Sequence, residues 1–142
     1  MRADQKMKSV FFYGLFMDED LLKEKGLNPS VAKIAYVAGY GLRIGERATL
    51  MQSSQERSYG SVIQLDEEEI EKLYGDKSVE DYVPEEVTAI DTNGSTLAAM
   101  SYILPISKLS GQNREYAKLL AVVARKIGLP EEYIDEIEKW IK

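Results

Sequence analysis

The sequence predicts an α+β fold. β-branched and aromatic runs fill the first two thirds of the chain, and helical patterns sit between and after them. That order differs from the strict strand–helix alternation of a parallel α/β sheet. Asn93-Gly94 between two strand-like runs adds a hairpin signal, and amphipathic stripes follow Pro105.

The elements follow in order. Residues 1–7 are polar and read as a tail. Residues 8–14 form a strand, and a short helix runs from Asp18, its cap, to about Lys25. Gly26-Leu27-Asn28-Pro29 stops it. Residues 31–44 carry glycines at 39 and 41 within a β pattern, which predicts a bent or bulged strand. Ala48–Gln52 reads as a short strand, the polar stretch Gln52–Ser58 as a loop, and Tyr59–Leu65 as a further strand. Asp66 and Glu69 stand at capping-box spacing and open a helix that Gly75 ends. Pro84–Asp91 and Ser95–Leu104 are strands joined through Asn93-Gly94, a type I′ signal. Asn113–Ile127 is a helix with Tyr116, Leu119, Leu120, Val123 and Ile127 on one stripe. Pro130 starts the last helix, with Tyr133, Ile134, Ile137 and Ile141 at helical spacing. These two stripes read as core or as the face of a homodimer.

The chain has 142 residues, one domain's worth, so the expected organisation is a single domain over 1–142. Twenty-four acidic residues oppose 18 basic ones, a balance that disfavours nucleic acid as a partner. Cysteine and histidine are both absent. Thiolate nucleophiles, histidine acid/base work and nearly all zinc constellations are thereby excluded. Acid/base chemistry falls to a carboxylate, a lysine or a tyrosine. No apolar run reaches the length of a membrane span and the N-terminus lacks a signal-like apolar segment, so the expected compartment is the cytoplasm, with no membrane partner.

The most informative segment is Val10-Phe11-Phe12-Tyr13-Gly14-Leu15-Phe16-Met17-Asp18. A strand that stops on glycine before a helix leaves backbone N–H groups at the turn, a common place for an anion. This segment resembles the YG[ST] opening of the gamma-glutamylcyclotransferase-like family. Further blocks resemble that family in the same order. They are Arg47-Ala48-Thr49-Leu50 with Tyr59-Gly60-Ser61-Val62, then Leu73–Tyr82, then Ser101-Tyr102. Last comes Glu115-Tyr116 through Gly128-Leu129-Pro130-Glu131-Glu132-Tyr133. The resemblance implies a small mixed β-barrel with helices packed outside.

It also implies a reaction. The α-amine of a γ-glutamyl amine or peptide attacks its own γ-carbonyl, 5-oxoproline forms, and the amine leaves. Nucleophile and electrophile are tethered, so no metal or cofactor is needed. The protein binds the small-molecule γ-glutamyl ligand, steadies the oxyanion and moves protons. By resemblance, the backbone of Tyr13, Gly14, Leu15 and Phe16 is the anion cradle, with Leu15 standing where the family has Ser or Thr. The family's acid/base Glu maps onto Lys77 when counted from Leu73, and onto Asp76 when counted back from Tyr82. Leu73 to Glu85 is most similar to a bacterial subgroup reading L-Y-x-E-P-S-V-x-x-Y-x-P-E, which favours Asp76, with Glu80 second. Asp is one methylene shorter than Glu, about 1.5 Å. Arg47, with Arg43 beside it in sequence, is a candidate for a substrate carboxylate. Thr49, Tyr82 and Tyr102 complete the expected site. A catalytically idle binding domain of the same fold and a self-associating structural domain are the alternatives.

Overall fold

Val10, Phe11 and Phe12 are bulky, apolar and fully enclosed, and they form the hydrophobic end of the first strand, β1 (Met7–Phe12). The computed structural model describes residues 7–75 and 81–141. After β1 come a 3-10 turn (Leu15–Met17) and α1 (Glu19–Glu24). Then follow β2 (Lys33–Ile44), β3 (Ala48–Asp66), α2 (Glu67–Tyr74), β4 (Val83–Asp91) and β5 (Thr96–Ile103). The chain finishes with α3 (Arg114–Ile127) and α4 (Glu131–Glu138).

The strands close into a barrel in the order β1-β3-β2-β4-β5. All ladders are antiparallel except the closing one, where β1 meets β5 in parallel at Val10 and Met100. The α+β class and the barrel are as expected. By register, buried Phe11, Ala35, Val37, Val62, Ala89 and Ala99 share one face of the closed sheet, and buried Val10, Ile63 and Leu65 share the other with Tyr59. The helices cover the outside through Leu120, Ala124, Ile134 and Ile137, and Tyr133 meets the Tyr59 ring at 5.2 Å.

Local chemistry explains the element ends. The Asp18 carboxylate accepts from the Asp20 N–H and caps α1. Asp66 and Glu69 form the reciprocal capping box at the start of α2. Each such cap satisfies backbone donors that a helix start leaves unpaired.

Four details differ from the sequence reading. First, β3 runs unbroken through the polar stretch 52–58. β2 pairs with it on both sides, Tyr40 with Gln52 and Ala38 with Arg57, so Ser53–Glu56 bulge out opposite Gly39 alone. Arg43 clamps that bulge through two bonds to Glu56, 3.1 and 2.7 Å long. Second, the Asn93-Gly94 turn is not type I′. Among the described residues no non-glycine has positive φ, whereas Gly94 sits at 83° and its N–H reaches the Asp91 carbonyl. This is the three-residue form in which a glycine bulge follows the turn. Third, Leu119 points outward and is 54% exposed. Ala117, Ala121 and Ala124 take the inner face of α3 instead, because small residues let the helix lie close to the barrel. Fourth, β1 ends at Phe12, and Tyr13-Gly14 already belong to the turn.

Candidate active site

β1 runs into a sharp turn because Gly14 precedes the 3-10 segment in extended conformation, at φ −104° and ψ −154°. The Met17 N–H closes the turn on the Gly14 carbonyl at 3.0 Å, and the Asp18 N–H on the Leu15 carbonyl at 3.2 Å. As at any helix start, the first N–H groups of such a turn have no partner within it. Two contacts anchor the turn from behind. The buried Ser61 hydroxyl donates to the Met17 carbonyl at 2.7 Å. The Lys126 ammonium of α3 donates to Asp18 at 2.7 Å and to Asp20 at 2.9 Å.

A cavity of about 250 Å³ opens in front of the turn. Tyr13, Gly14, Leu15 and Phe16 line it, and β1 adds Phe11 and Phe12. Arg47 and Ala48 come from the start of β3, and Tyr74 from the end of α2. Tyr82, Tyr102 and Tyr116 complete the wall. The lining is mostly aromatic, the usual make-up of a small-molecule site. Tyr74 stacks on Tyr102 with ring centres 3.9 Å apart and planes 14° from parallel. The Phe16 ring stands edge-on to Phe12 at 6.4 Å.

The polar groups have defined partners. The Tyr13 hydroxyl donates to the Tyr102 carbonyl at 2.7 Å. The Tyr82 hydroxyl donates to the Ala48 carbonyl at 2.6 Å. Arg47 lies over the Tyr82 ring at 5.6 Å and faces the Asp81 carboxylate at 3.6 Å. Burial pushes the Tyr82 phenol up to about 12, against the opposing pull of Arg47. Burial likewise raises Tyr13, Tyr74, Tyr102 and Tyr116. All five phenols therefore stay protonated at neutral pH, as hydrogen-bond donors rather than bases.

Of the residues expected from sequence, Tyr13, Gly14, Leu15, Phe16, Arg47, Tyr82 and Tyr102 meet at this one cavity. Thr49 does not line it. Its side chain is fully buried and its hydroxyl donates to the Leu104 carbonyl at 2.6 Å, a link between β3 and the end of β5. Arg43 is occupied with Glu56 on the barrel wall. Asp76 and Glu80 lie outside the described residues. Among the described residues no carboxylate lines the cavity, and none groups with others in a set of three able to hold a metal ion.

Tyr74 and Tyr116 were not singled out as site residues from sequence. Tyr116 read as one more apolar stripe position. Its signal was the hydroxyl itself, since a buried tyrosine hydroxyl usually finds a polar partner.

The AIG2-like family matches residues 57–137 of the chain. Solved structures share the fold over nearly its whole length. One titled gamma-glutamyl cyclotransferase superposes with a TM-score of 0.80 at 19% identity, covering 94% of this chain and 87% of the other. A human protein described as uncharacterized gives 0.79 at 19% identity, covering 93% and 86%. A yeast gamma-glutamyl cyclotransferase specific to glutathione gives 0.67 at 15% identity, covering 95% of each chain. At these identities the likeness is one of fold. A comparison with curated proteins finds no match.

Proposed function

The chain belongs to the AIG2-like family, with a gamma-glutamylcyclotransferase-like fold, and from that premise we propose that it cyclises a γ-glutamyl amine or peptide to 5-oxoproline and releases the amine. One observation carries the reading. The Tyr13–Phe16 turn, an arginine and an aromatic wall converge on a single cavity.

In this reading the ligand's α-carboxylate is held by Arg47, whose guanidinium also faces Asp81, or by the turn N–H groups. The apolar wall of Leu15, Phe16, Tyr74 and Tyr102 receives the methylene chain and the leaving amine. Holding the chain curled brings the α-nitrogen to the γ-carbonyl carbon. A C–N bond forms there as the original amide C–N bond breaks. The ammonium proton goes to a base, and a proton returns to the departing nitrogen. Protonated phenols do not serve as that base, so the role goes to Asp76, chosen on sequence register.

A binding domain without catalysis is the second reading. It is favoured by the lack of any carboxylate in the cavity lining among the described residues.

The test is 5-oxoproline release from a panel of γ-glutamyl amines and dipeptides, with Asp76→Asn as the control. Release that vanishes in the variant supports enzyme and base together. Release that persists moves the base to Glu80. No release by the folded protein from any member favours the binding domain.

A further inference from the structure

A second hollow borders the cavity at Phe16 and Tyr74. It measures about 220 Å³ and is lined by Lys25, Leu27, Lys72 and Leu73. Phe16 lines the cavity, and the Lys25 ammonium lies 5.4 Å from the centre of its ring. Tyr74 lines the cavity too, and it directly follows Leu73.

The ends of two helices build this hollow. Gly26 stops α1 at φ 85°, and the Gly26 and Leu27 N–H groups bond back to the Lys23 and Leu22 carbonyls at 3.0 and 3.1 Å. The stop buries Leu27 and leaves Lys25 exposed beside it. The Asn28 N–H then donates to the Glu69 carboxylate at 2.5 Å, which ties the exit of α1 to α2. On α2, Leu73 is buried and its neighbour Lys72 is exposed. Two leucines thus floor the hollow, and two flexible ammonium groups stand around it.

The charge there is uncompensated. In a chain of net charge −6, lysines readily find carboxylates. Lys8, Lys23, Lys108, Lys118 and Lys126 each face one within 3.6 Å. Among the described residues no carboxylate lines the hollow, and none pairs with Lys25 or Lys72. Glu69 is occupied by the Asn28 and Asp66 N–H groups. A lysine at a helix end also suits the helix dipole, but that role does not require two of them to converge on one apolar floor.

We propose that Lys25 and Lys72 form a leaving-group subsite that binds a carboxylate on the departing amine. The substrates are then γ-glutamyl amino acids and peptides, in preference to γ-glutamyl amines that lack an acidic group. With the γ-glutamyl half at the Tyr13–Phe16 turn, the leaving group passes along Phe16 and Tyr74 and lays its carbon chain on Leu27 and Leu73. Its carboxylate stays ionised, takes no part in the bond changes and departs with the amine. The γ-glutamyl half rests on the functional reading above; the uncompensated cation pair does not.

The test compares γ-glutamyl-alanine with γ-glutamyl-alaninamide, which differ only in that carboxylate. Wild-type protein should favour the acid roughly 10-fold in KM, a modest ratio because both ammonium groups are exposed. The ratio should fall toward one in Lys25→Gln/Lys72→Gln, persist in Lys25→Arg/Lys72→Arg, and shrink with added salt. Lys23→Gln, whose ammonium already faces Glu19, should leave it unchanged. Equal use of acid and amide by the wild type, or a preference that survives the double glutamine variant, overturns the proposal and leaves the functional reading standing. If neither compound releases 5-oxoproline, the functional reading fails, and calorimetric binding of the same pair decides the subsite. Tighter binding of the acid that is lost in the double glutamine variant keeps it. Equal binding, or none, overturns it.

Discussion

Ser61→Ala isolates one bond that holds the turn in place. Ser61 lies on β3 where that strand is paired on both sides, with Phe12 of β1 and Ile34 of β2. Its backbone therefore has no freedom to follow a lost contact. Its hydroxyl donates to the Met17 carbonyl at 2.7 Å, and both residues are completely shielded from solvent. Alanine keeps the backbone and nearly the volume, and removes only the donor. A buried acceptor stripped of its partner costs about 1–3 kcal/mol. Unfolding entropy for a chain of this length is on the order of 0.3 kcal/mol per kelvin, so the middle of that range lowers Tm by roughly 7 °C. Urea unfolding followed by circular dichroism measures the change directly, and an unaltered slope with a lower midpoint assigns it to the folded state. The turn should also loosen, and ligand binding should weaken along with stability. A variant within about 0.5 kcal/mol of wild type, the range of an ordinary surface change, would refute the argument that this hydroxyl anchors the turn.

Other expectations follow from the same geometry. Thr49→Val removes the donor to the Leu104 carbonyl and should lower stability by about 1–2 kcal/mol while leaving ligand affinity nearly unchanged, checked by thermal unfolding and calorimetric titration of 5-oxoproline. Gly60→Ala drives a methyl into the Phe12 carbonyl oxygen and toward the Phe11 ring. Opening β1 from β3 to make room should cost about 3 kcal/mol, seen as a collapse of the urea midpoint or as insoluble expression. Arg43 holds Glu56 below its ordinary 4.5, at about 2. That depressed value means the pair stabilises fully above pH 4.5 and loses its contribution as pH falls through 2. Glu56→Gln should therefore flatten the acid limb of stability between those values. The effect should be small, because the Glu56 side chain is 40% exposed.

What could be read in advance divides along a physical line. Signals that act within a few residues were legible. Asp18 and Asp66 cap the helices they precede, and the glycine-interrupted β2 breaks its register with β3 at Gly39. Features decided by a distant partner were not. Ser53–Glu56 are polar enough for a loop, yet β2 keeps the backbone extended on either side of them. Asn93-Gly94 suggested one turn type, but the Asp91 carboxylate accepts from the Asn93 and Ser95 N–H groups and selects another. The same line runs through the site. Tyr13–Phe16 stood out because strand, glycine and helix start adjoin in sequence. Thr49 looked equally suited to a ligand, and only the position of the Leu104 carbonyl turns it inward. Tyr116 was hidden, because its direction depends on how α3 lies against the turn.

The barrel's closing seam has a further consequence. β1 and β5 share one parallel bridge, at Val10 and Met100. Side chains do the rest of the fastening: Ser101 donates to the Phe11 carbonyl at 3.1 Å, and Tyr13 to the Tyr102 carbonyl. The wall is thus poorest in main-chain rungs where the cavity begins. Thermal breathing should concentrate along this hem, with the amides of residues 11–13 and 101–102 exchanging with deuterium sooner than those of the long β2–β3 ladder. A ligand lodged between Tyr13 and Tyr102 would act as the absent rungs, so occupancy should slow exchange most at the hem and make the bound molecule part of the barrel's wall.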